Sequence, residues 1–193
     1  MREELDKKLC EKYPKIFRDR FGDMRTTAMC WGFECGDGWY NILDSLCECI
    51  QGHIDWKRKQ RAHALKMNRK IKKAIETNSI EPIININKGD WWVERCEKIL
   101  AEKKYEKVPE KVNQVVAVQV KEKFGGLRFY YGGGDETIRG MTHMAESLAA
   151  VTCETCGSPG RLRGRGWLYT ACDEHTKEGD KENESAEDGN IEA

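Results

Sequence analysis

The chain has 193 residues, of which 39% are hydrophobic and 34% are charged. This length supports one domain with its own core and a small appended module, and the high charged fraction predicts a modest core with a heavily solvated surface. Lys plus Arg and Asp plus Glu both number 33, so the net charge favours no class of partner. No apolar run approaches the roughly 20 residues that span a bilayer, and the N-terminus lacks the apolar segment of a secretory signal. We therefore expect a soluble, cytoplasmic protein.

The charges are segregated along the chain. Nine Lys and Arg residues and no acid lie between Trp56 and Lys73, whereas acids dominate from Asp173 onward. A neutral total therefore conceals a basic segment and an acidic tail. Residues 176–193 have no apolar periodicity, which predicts a disordered tail. The nine cysteines are an odd number, and in a reducing compartment we expect thiols or metal ligands.

The first predicted element is a short helix over residues 2–13, which Pro14 ends. The stretch TTAMCWGFECGDG, residues 26–38, mixes small and turn-forming residues with aromatics and predicts an ordered loop. Asp37 is placed to cap a long helix. Its apolar positions at helical spacing are Trp39, Leu43, Leu46, Ile50 and Ile54.

The basic segment continues this helix with a thin apolar stripe on one side. The stripe consists of Ala64, Met67, Ile71, Ala74 and Ile75. The pattern fades at Asn78, Pro82 marks a connection, and Asp90 is placed to cap a further short helix. Residues 1–111 are therefore predicted to be mainly helical and to include a basic helix.

The stretch QVVAVQVKEKFGGLRFYY, residues 114–131, predicts a β-hairpin, because two β-rich runs flank a glycine pair that tolerates positive φ. A two-residue turn at Gly125-Gly126 places Phe124 opposite Leu127. One predicted face is mostly apolar and comprises Val118, Val120, Phe124, Leu127, Phe129 and Tyr131. The other predicted face comprises Gln119, Lys121, Lys123, Arg128 and Tyr130.

A helix follows the hairpin, and Asp135 is placed to cap it. Its predicted inner stripe is Ile138, Met141, Ala145 and Leu148. Residues 112–175 are therefore predicted to combine the hairpin, this helix and a small C-terminal module of the zinc-ribbon or treble-clef type. The predicted fold class is α+β.

The C-terminal module has the spacing of a zinc site. The candidate ligands are Cys153, Cys156, Cys172 and His175. Each pair has a two-residue spacer, which lets one tight turn present both ligands to one ion, and Gly157 follows the first pair where the turn favours positive φ. Four protein ligands leave no position for an activated water, so we expect one structural Zn²⁺.

Two basic hairpins are candidates for contact with nucleic acid. Residues 161–163 and 167–170 are predicted to pair, with Arg161 and Arg163 on one side of their strand. Like charges opposite each other repel, and this cost is relieved beside a polyanion. The candidate nucleic-acid-binding residues are Lys121, Lys123, Arg128, Tyr130, Arg161 and Arg163. The alternative is a solvated surface whose arginines offset the charge of the zinc thiolates.

Two further groups of residues could carry chemistry. A second cysteine cluster has spacings that are poor for metal pairs, so packed thiols are the favoured interpretation, and it consists of Cys30, Cys35, Cys47, Cys49 and His53. Paired carboxylates beside aromatics form a candidate ligand pocket of Trp31, Glu34, Asp37 and Trp39. The alternative for the second group is a capping Asp and an ordinary loop carboxylate.

Three stretches carry a family resemblance: GFECGDGWYNILDSLC (32–47), VKEKFGGLRFYYGGGDETIRGM (120–141) and the C-terminal CETCG…ACDEH. Together they resemble a family of small, largely uncharacterised proteins encoded by tailed phages and prophages. The likeness covers the N-terminal third and residues 112–175 and leaves out residues 54–111. It implies a phage-encoded accessory protein in the host cell cytoplasm, and it implies no reaction.

The sequence predicts a non-enzymatic protein with structural zinc that binds nucleic acid or a host factor. No familiar catalytic signature is present, although catalysis is left open. One alternative is a binder of a nucleotide-like small molecule, or an enzyme acting on one such as a host defence signal, that uses the Trp31–Tyr40 loop. Another is a protein-directed inhibitor of a host factor. The sequence predicts no membrane partner and does not define the oligomeric state.

Overall fold

The computed structural model describes residues 1–85 and 88–180. Its helices are α1 (Glu3–Lys12), α2 (Tyr40–Thr77), α3 (Asp90–Glu102) and α4 (Glu136–Ala149). Its strands are β1 (Phe33–Glu34), β2 (Asn113–Lys123), β3 (Gly126–Gly134), β4 (Arg161–Arg163) and β5 (Tyr169–Ala171). Helices together with small sheets confirm the predicted α+β class.

The chain forms two compact units. The first unit joins Met1–Ile54 to the chain from Asn113 onward, and the second unit is Asp55–Val112. The sequence-based division placed a boundary near residue 111 and kept the whole N-terminal part together. The structure differs because β1 pairs in parallel with β2, with Phe33 aligned with Val120. The N-terminal segment thereby becomes part of the same sheet as the hairpin.

The first unit is built around a three-stranded sheet in the order β1-β2-β3. The loop predicted over residues 26–38 supplies β1, and its buried Phe33 packs edge-on against Phe17 at 5.0 Å between ring centroids. Phe17 also contacts Phe129 of β3 at 6.4 Å. Helix α1 is tied to α2 by Tyr13, whose hydroxyl donates to the Asp44 carbonyl at 2.9 Å.

The β2–β3 hairpin forms as predicted, but its turn lies one residue earlier, so each residue beside the turn has a partner two positions away from the predicted one. Lys123 pairs with Gly126 and Lys121 with Arg128, so the two turn residues are Phe124 and Gly125 rather than the two glycines. Both turn residues have positive φ, 55° and 77° respectively. Phe124 is therefore exposed and does not belong to the apolar face.

A register irregularity between Ala117 and Gln119 changes the predicted apolar face at a second place. It turns Val118 towards solvent, where this side chain is exposed. Val120, Leu127 and Phe129 are buried as predicted. A bulge of this kind reverses the alternation of side chains along a strand, and sequence pattern alone does not locate it.

Helix α4 begins where the sequence predicted. The Asp135 carboxylate accepts from the Ile138 N–H at 3.1 Å, and it also contacts His53 Nε2 on α2 at 2.8 Å. The predicted inner stripe is corrected at one position, because Leu148 is exposed. The buried residues of α4 are Ile138, Thr142, Ala145 and Ala149.

The second unit contains the basic part of α2 and helix α3. Its core consists of Ile71, Ala74, Ile83, Trp92 and Cys96. Trp92 donates from Nε1 to the Ile83 carbonyl at 3.1 Å. The Asn68 side chain binds both backbone groups of Glu106, at 2.7 Å to its N–H and 2.9 Å to its carbonyl. These bonds fix the segment after α3 against α2 within this unit.

Residues 176–180, the first part of the predicted disordered tail, form side-chain contacts with the C-terminal module. Thr176 is buried and donates to the Cys172 carbonyl at 3.0 Å, and the Tyr169 hydroxyl lies 2.7 Å from an Asp180 carboxylate oxygen. The rest of the predicted disordered tail, 181–193, lies outside the described residues. In the part of the chain that the structure describes, no helix combines the length and apolarity needed to cross a membrane.

Candidate metal centre

The four predicted ligands meet in one cluster. The candidate ligand atoms of Cys153, Cys156, Cys172 and His175 all lie within 4.8 Å of one another. Cys153 and Cys156 come from the turn after α4, and Cys172 and His175 come from the segment after β5. Within residues 1–85 and 88–180 this is the one group of His, Cys, Asp and Glu residues with metal-binding geometry. The protein therefore has a possible metal site of the Cys3His type.

The distances within the cluster fit a tetrahedral ion. Zinc–sulfur bonds of about 2.3 Å at tetrahedral angles require sulfur–sulfur separations of roughly 3.8 Å. Cys156 Sγ and Cys172 Sγ are 3.7 Å apart. His175 presents Nδ1, which lies 3.2 Å from Cys172 Sγ and 3.8 Å from Cys153 Sγ. The donor set of three sulfurs and one nitrogen is one that Zn²⁺ commonly takes in closed sites.

Backbone amides prepare Cys153 for ligation. Burial opposes ionisation of its thiol, but the N–H groups of Cys172, Cys156 and Thr155 hydrogen-bond to the sulfur, and together these donors lower the pKa of Cys153 to about 6. The thiolate is the form that binds metal. The local fold therefore stabilises a ligand in its reactive charge state.

The turn that carries Cys153 and Cys156 is held by a distant loop, the Gly36–Gly38 segment before α2. Gly36 N–H donates to the Glu154 carboxylate at 2.8 Å, and Gly38 N–H donates to the Glu154 carbonyl at 2.7 Å. A Cβ at either glycine would overlap the backbone of this turn. We call these contacts the glycine cradle, and they define a close backbone approach that only glycine permits.

Trp39 extends the glycine cradle. This side chain is completely buried, and its Nε1 donates to the Thr152 carbonyl at 2.8 Å, next to the first cysteine ligand. The glycine cradle was not predicted from the sequence. One signal was present in the sequence, namely glycines at alternate positions in CGDGW.

Arg163 has a structural position, and its assignment as a nucleic-acid-binding residue is corrected. Arg163 is only 4% exposed. Its buried guanidinium is satisfied by Nε, which donates to the Ala171 carbonyl at 3.0 Å, and by an ion pair with Asp173. Both partners flank Cys172. Arg161 is exposed, and its guanidinium lies 3.9 Å from the Asp173 carboxylate. The strand thus has one arginine that supports the metal site and one at the surface.

The cationic face of the first hairpin is partly exposed, since Lys121 and Arg128 are half-buried and Tyr130 is exposed. Lys121 is directly opposite Arg128, and its Nζ lies 5.8 Å from the ring centroid of Tyr130. Lys123 is exposed at the end of β2. Glu34 aligns with Lys121 in the parallel register and accepts from the Gln119 amide at 2.9 Å. We call Lys121, Lys123, Arg128 and Tyr130 the hairpin face.

The four candidate pocket residues have separate surroundings. Trp39 is in the core, and Trp31 is exposed. Asp37 binds the backbone N–H of Arg2 at 2.7 Å and pairs with its guanidinium, while Glu34 binds Gln119 as above. A ligand pocket built from these residues stays a prediction, and their contacts favour structural roles.

The second cysteine cluster is dispersed. Cys35 and Cys47 are buried, Cys49 is exposed, and His53 contacts Asp135. Burial raises the pKa of Cys35 to about 12 and also raises that of Cys47. Both side chains behave as packed thiols.

Comparison with protein-family models, with curated proteins and with solved structures finds no match for this chain. The fold and the ligand cluster themselves define the class of this protein. It is an α+β protein with a possible Cys3His metal centre.

Proposed function

We propose that this protein is a non-enzymatic binding protein, stabilised by one structural Zn²⁺, that engages nucleic acid through the hairpin face. The zinc assignment is supported by the three-sulfur, one-nitrogen donor set and its tetrahedral spacing. Four protein ligands complete the coordination of zinc, which supports a structural rather than a catalytic role. An infected bacterial cell, the setting that the phage resemblance implies, is part of the same proposal.

The observation that supports nucleic-acid binding is the direct pairing of Lys121 with Arg128 at two half-buried positions of the hairpin. Like charges at opposed positions destabilise a sheet. A polyanion removes that repulsion and gains two phosphate contacts. Lys123 adds a third cation, and Tyr130, beside Lys121, offers a ring surface for a base. Glu34 lowers the local charge, and the three cations outnumber it.

Fluorescence anisotropy with a labelled 20-nucleotide single strand and the matching duplex, at 50 and 200 mM salt, tests this proposal. We expect binding that weakens with salt, since each phosphate contact adds roughly 0.7 to 0.9 to the logarithmic salt slope. Lys121→Glu and Arg128→Glu should each reduce the affinity. Lys8→Glu, an exposed change on α1, is the matched control. Absence of binding at 50 mM salt would overturn the proposal and leave a protein-directed inhibitor as the leading hypothesis.

A second candidate function is favoured by a groove in the second unit. The groove has a volume of about 460 Å³, and none of its described lining residues is acidic. His63, Lys66 and Lys70 line it at helical spacing on one side of α2. Lys88 lines it from the segment before α3, with its Nζ 4.0 Å from the ring centroid of Trp92. This chemistry suits a phosphate-bearing small molecule such as a nucleotide.

Thermal-shift measurements with nucleoside mono-, di- and triphosphates and with tripolyphosphate test the groove. A bound ligand stabilises the folded state in proportion to the logarithm of its concentration over Kd. We expect Lys66→Glu and Lys70→Glu to abolish any stabilisation and the exposed Lys59→Glu to retain it. Equal shifts in all three variants would remove the groove as the binding site.

A further inference from the structure

The turn of the β2–β3 hairpin contains an unexplained residue. Its first position, Phe124, has φ of 55°, in the left-handed region where bulky side chains are rare. Turns of this type are normally Asn-Gly or Asp-Gly. The Phe124 ring is 70% exposed, so burial does not compensate for the backbone conformation. Neither local conformation nor packing accounts for a phenylalanine at this position.

A second exposed aromatic ring, that of Trp167, lies near this turn. Trp167, in the connection between β4 and β5, is 74% exposed. It lines a cleft of about 230 Å³ together with Phe124 and Lys123. Lys123 Nζ lies 5.3 Å from the ring centroid of Phe124. Glu122 also lines the cleft, and its carboxylate accepts from the Gly125 N–H at 2.6 Å, which commits it to the turn.

The two rings are presented by elements that are fixed to each other. Thr170 of β5 donates from its hydroxyl to the Gly125 carbonyl at 2.6 Å. A Cβ at Gly125 would overlap the Leu162 side chain of β4, so the turn lies directly against the small hairpin. β5 in turn leads into the ligand Cys172. These contacts between the turn and the small hairpin preorganise the cleft.

We propose that Phe124 and Trp167 form a stacking site for one unpaired nucleobase of a single-stranded nucleic acid. Every base has a π-face, and exposed aromatic rings beside cations are the recurring means of binding single strands. Lys123 belongs to both the cleft and the hairpin face, so a base in the cleft places its neighbouring phosphates beside Lys121 and Arg128. This inference rests on the proposed function and specifies that the bound nucleic acid is single-stranded.

The test compares a labelled 12-nucleotide poly-dT strand with a duplex hairpin of equal charge, using anisotropy at 50 mM salt. Phe124→Asn is the decisive variant, because asparagine is favoured at this turn position and should fold at least as stably as the wild type. Trp167→Ala is the second variant. We expect each to weaken single-strand binding by roughly 5- to 100-fold and duplex binding by less than about twofold. Phe21→Asn, at an 88% exposed phenylalanine elsewhere in the first unit, is the control.

Unchanged single-strand affinity in Phe124→Asn and Trp167→Ala would overturn the stacking site, even where Lys121→Glu still abolishes binding. Equal losses for single strand and duplex would also overturn it. Failure of the proposed function gives another pattern, in which Lys121→Glu and Arg128→Glu leave all binding unchanged. A 5′-mononucleotide at millimolar concentration is the last arm. Displacement of the strand by this competitor would assign the cleft to free nucleotides instead.

Discussion

Gly38 donates its backbone N–H to the carbonyl of Glu154 at 2.7 Å, which joins the loop before α2 to the turn that carries two of the four candidate metal ligands. The Gly36 N–H adds a bond to the same residue's carboxylate. Substitution of Gly36 or Gly38 by Ala should therefore destabilise the first unit by roughly 1–3 kcal/mol, because the added Cβ overlaps backbone atoms that cannot move aside. Urea unfolding and the rate of zinc loss to a chelator measure the effect.

Gly52→Ala is the matched control for these substitutions. Gly52 lies inside α2, and a Cβ there meets no atom within 4 Å. Alanine in an exposed helix interior should stabilise the protein by about 0.5–1 kcal/mol. If Gly36→Ala and Gly38→Ala also gain stability, the glycine cradle does not hold the metal-binding turn.

The metal prediction is one equivalent of Zn²⁺ per chain, lost in Cys156→Ser and His175→Ala. Because a small module supplies little core of its own, metal binding should contribute directly to folding of residues 150–175. Elemental analysis and hydrogen exchange over that segment measure both effects. Cys49→Ser, at an exposed cysteine outside the cluster, should retain the metal. Less than about half an equivalent in the wild type, with unaltered stability in Cys156→Ser, would contradict the assignment.

The two arginines of β4 should behave differently. Arg163→Ala removes a buried guanidinium that binds the Ala171 carbonyl and Asp173, so we expect a loss of about 1.5–3 kcal/mol in the free energy of unfolding. Arg161→Ala, at an exposed position, should change stability by less than about 0.5 kcal/mol. Chemical denaturation of the zinc-loaded protein measures both. Equal losses of unfolding free energy in the two variants would show that the buried contacts of Arg163 do not stabilise the protein.

Ionisation of Asp37 makes the free energy of unfolding depend on pH in a defined range. The backbone N–H of Arg2 lowers the pKa of this carboxyl, partial burial opposes that effect, and the Arg2 guanidinium lowers the pKa further. A carboxyl with a depressed folded pKa contributes stability above its unfolded pKa of about 3.9 and loses it as the pH falls through the folded pKa. The stability difference between wild type and Asp37→Asn should thus be constant above pH 5 and shrink below pH 4. A constant difference down to pH 3 would contradict this.

Much of the fold follows from local pattern. The capping carboxylate of Asp135 and the hairpin over residues 114–131 were predicted from residue type and spacing alone. The four clustered ligands were likewise visible as two short pairs. Each of these features depends on residues that are close in sequence, whose geometry a turn or a helix fixes directly.

The features that the sequence did not predict depend on contacts between distant segments. The observed turn is Phe124-Gly125, whereas the predicted turn was Gly125-Gly126. The difference depends on Gly125, which lies against β4 and β5. Arg163 was predicted to be a surface residue because strand alternation does not specify that Asp173 folds back beside it. The parallel pairing of β1 with β2 leaves little trace in a strand of two residues.

The glycine cradle also constrains how the chain is made. The two partners of the bond between Gly36 and Glu154 lie 118 positions apart, so a ribosome completes the loop long before its counterpart emerges. During that interval the buried indole of Trp39 has no Thr152 carbonyl to accept its N–H. A nascent chain thus completes its first unit only after the last candidate ligand, His175, has left the exit tunnel, so a metal ion bound by this cluster would be acquired late in biogenesis. The first unit is thus assembled from two segments that are far apart in the sequence. The second unit, Asp55–Val112, is one continuous segment that is synthesised between them.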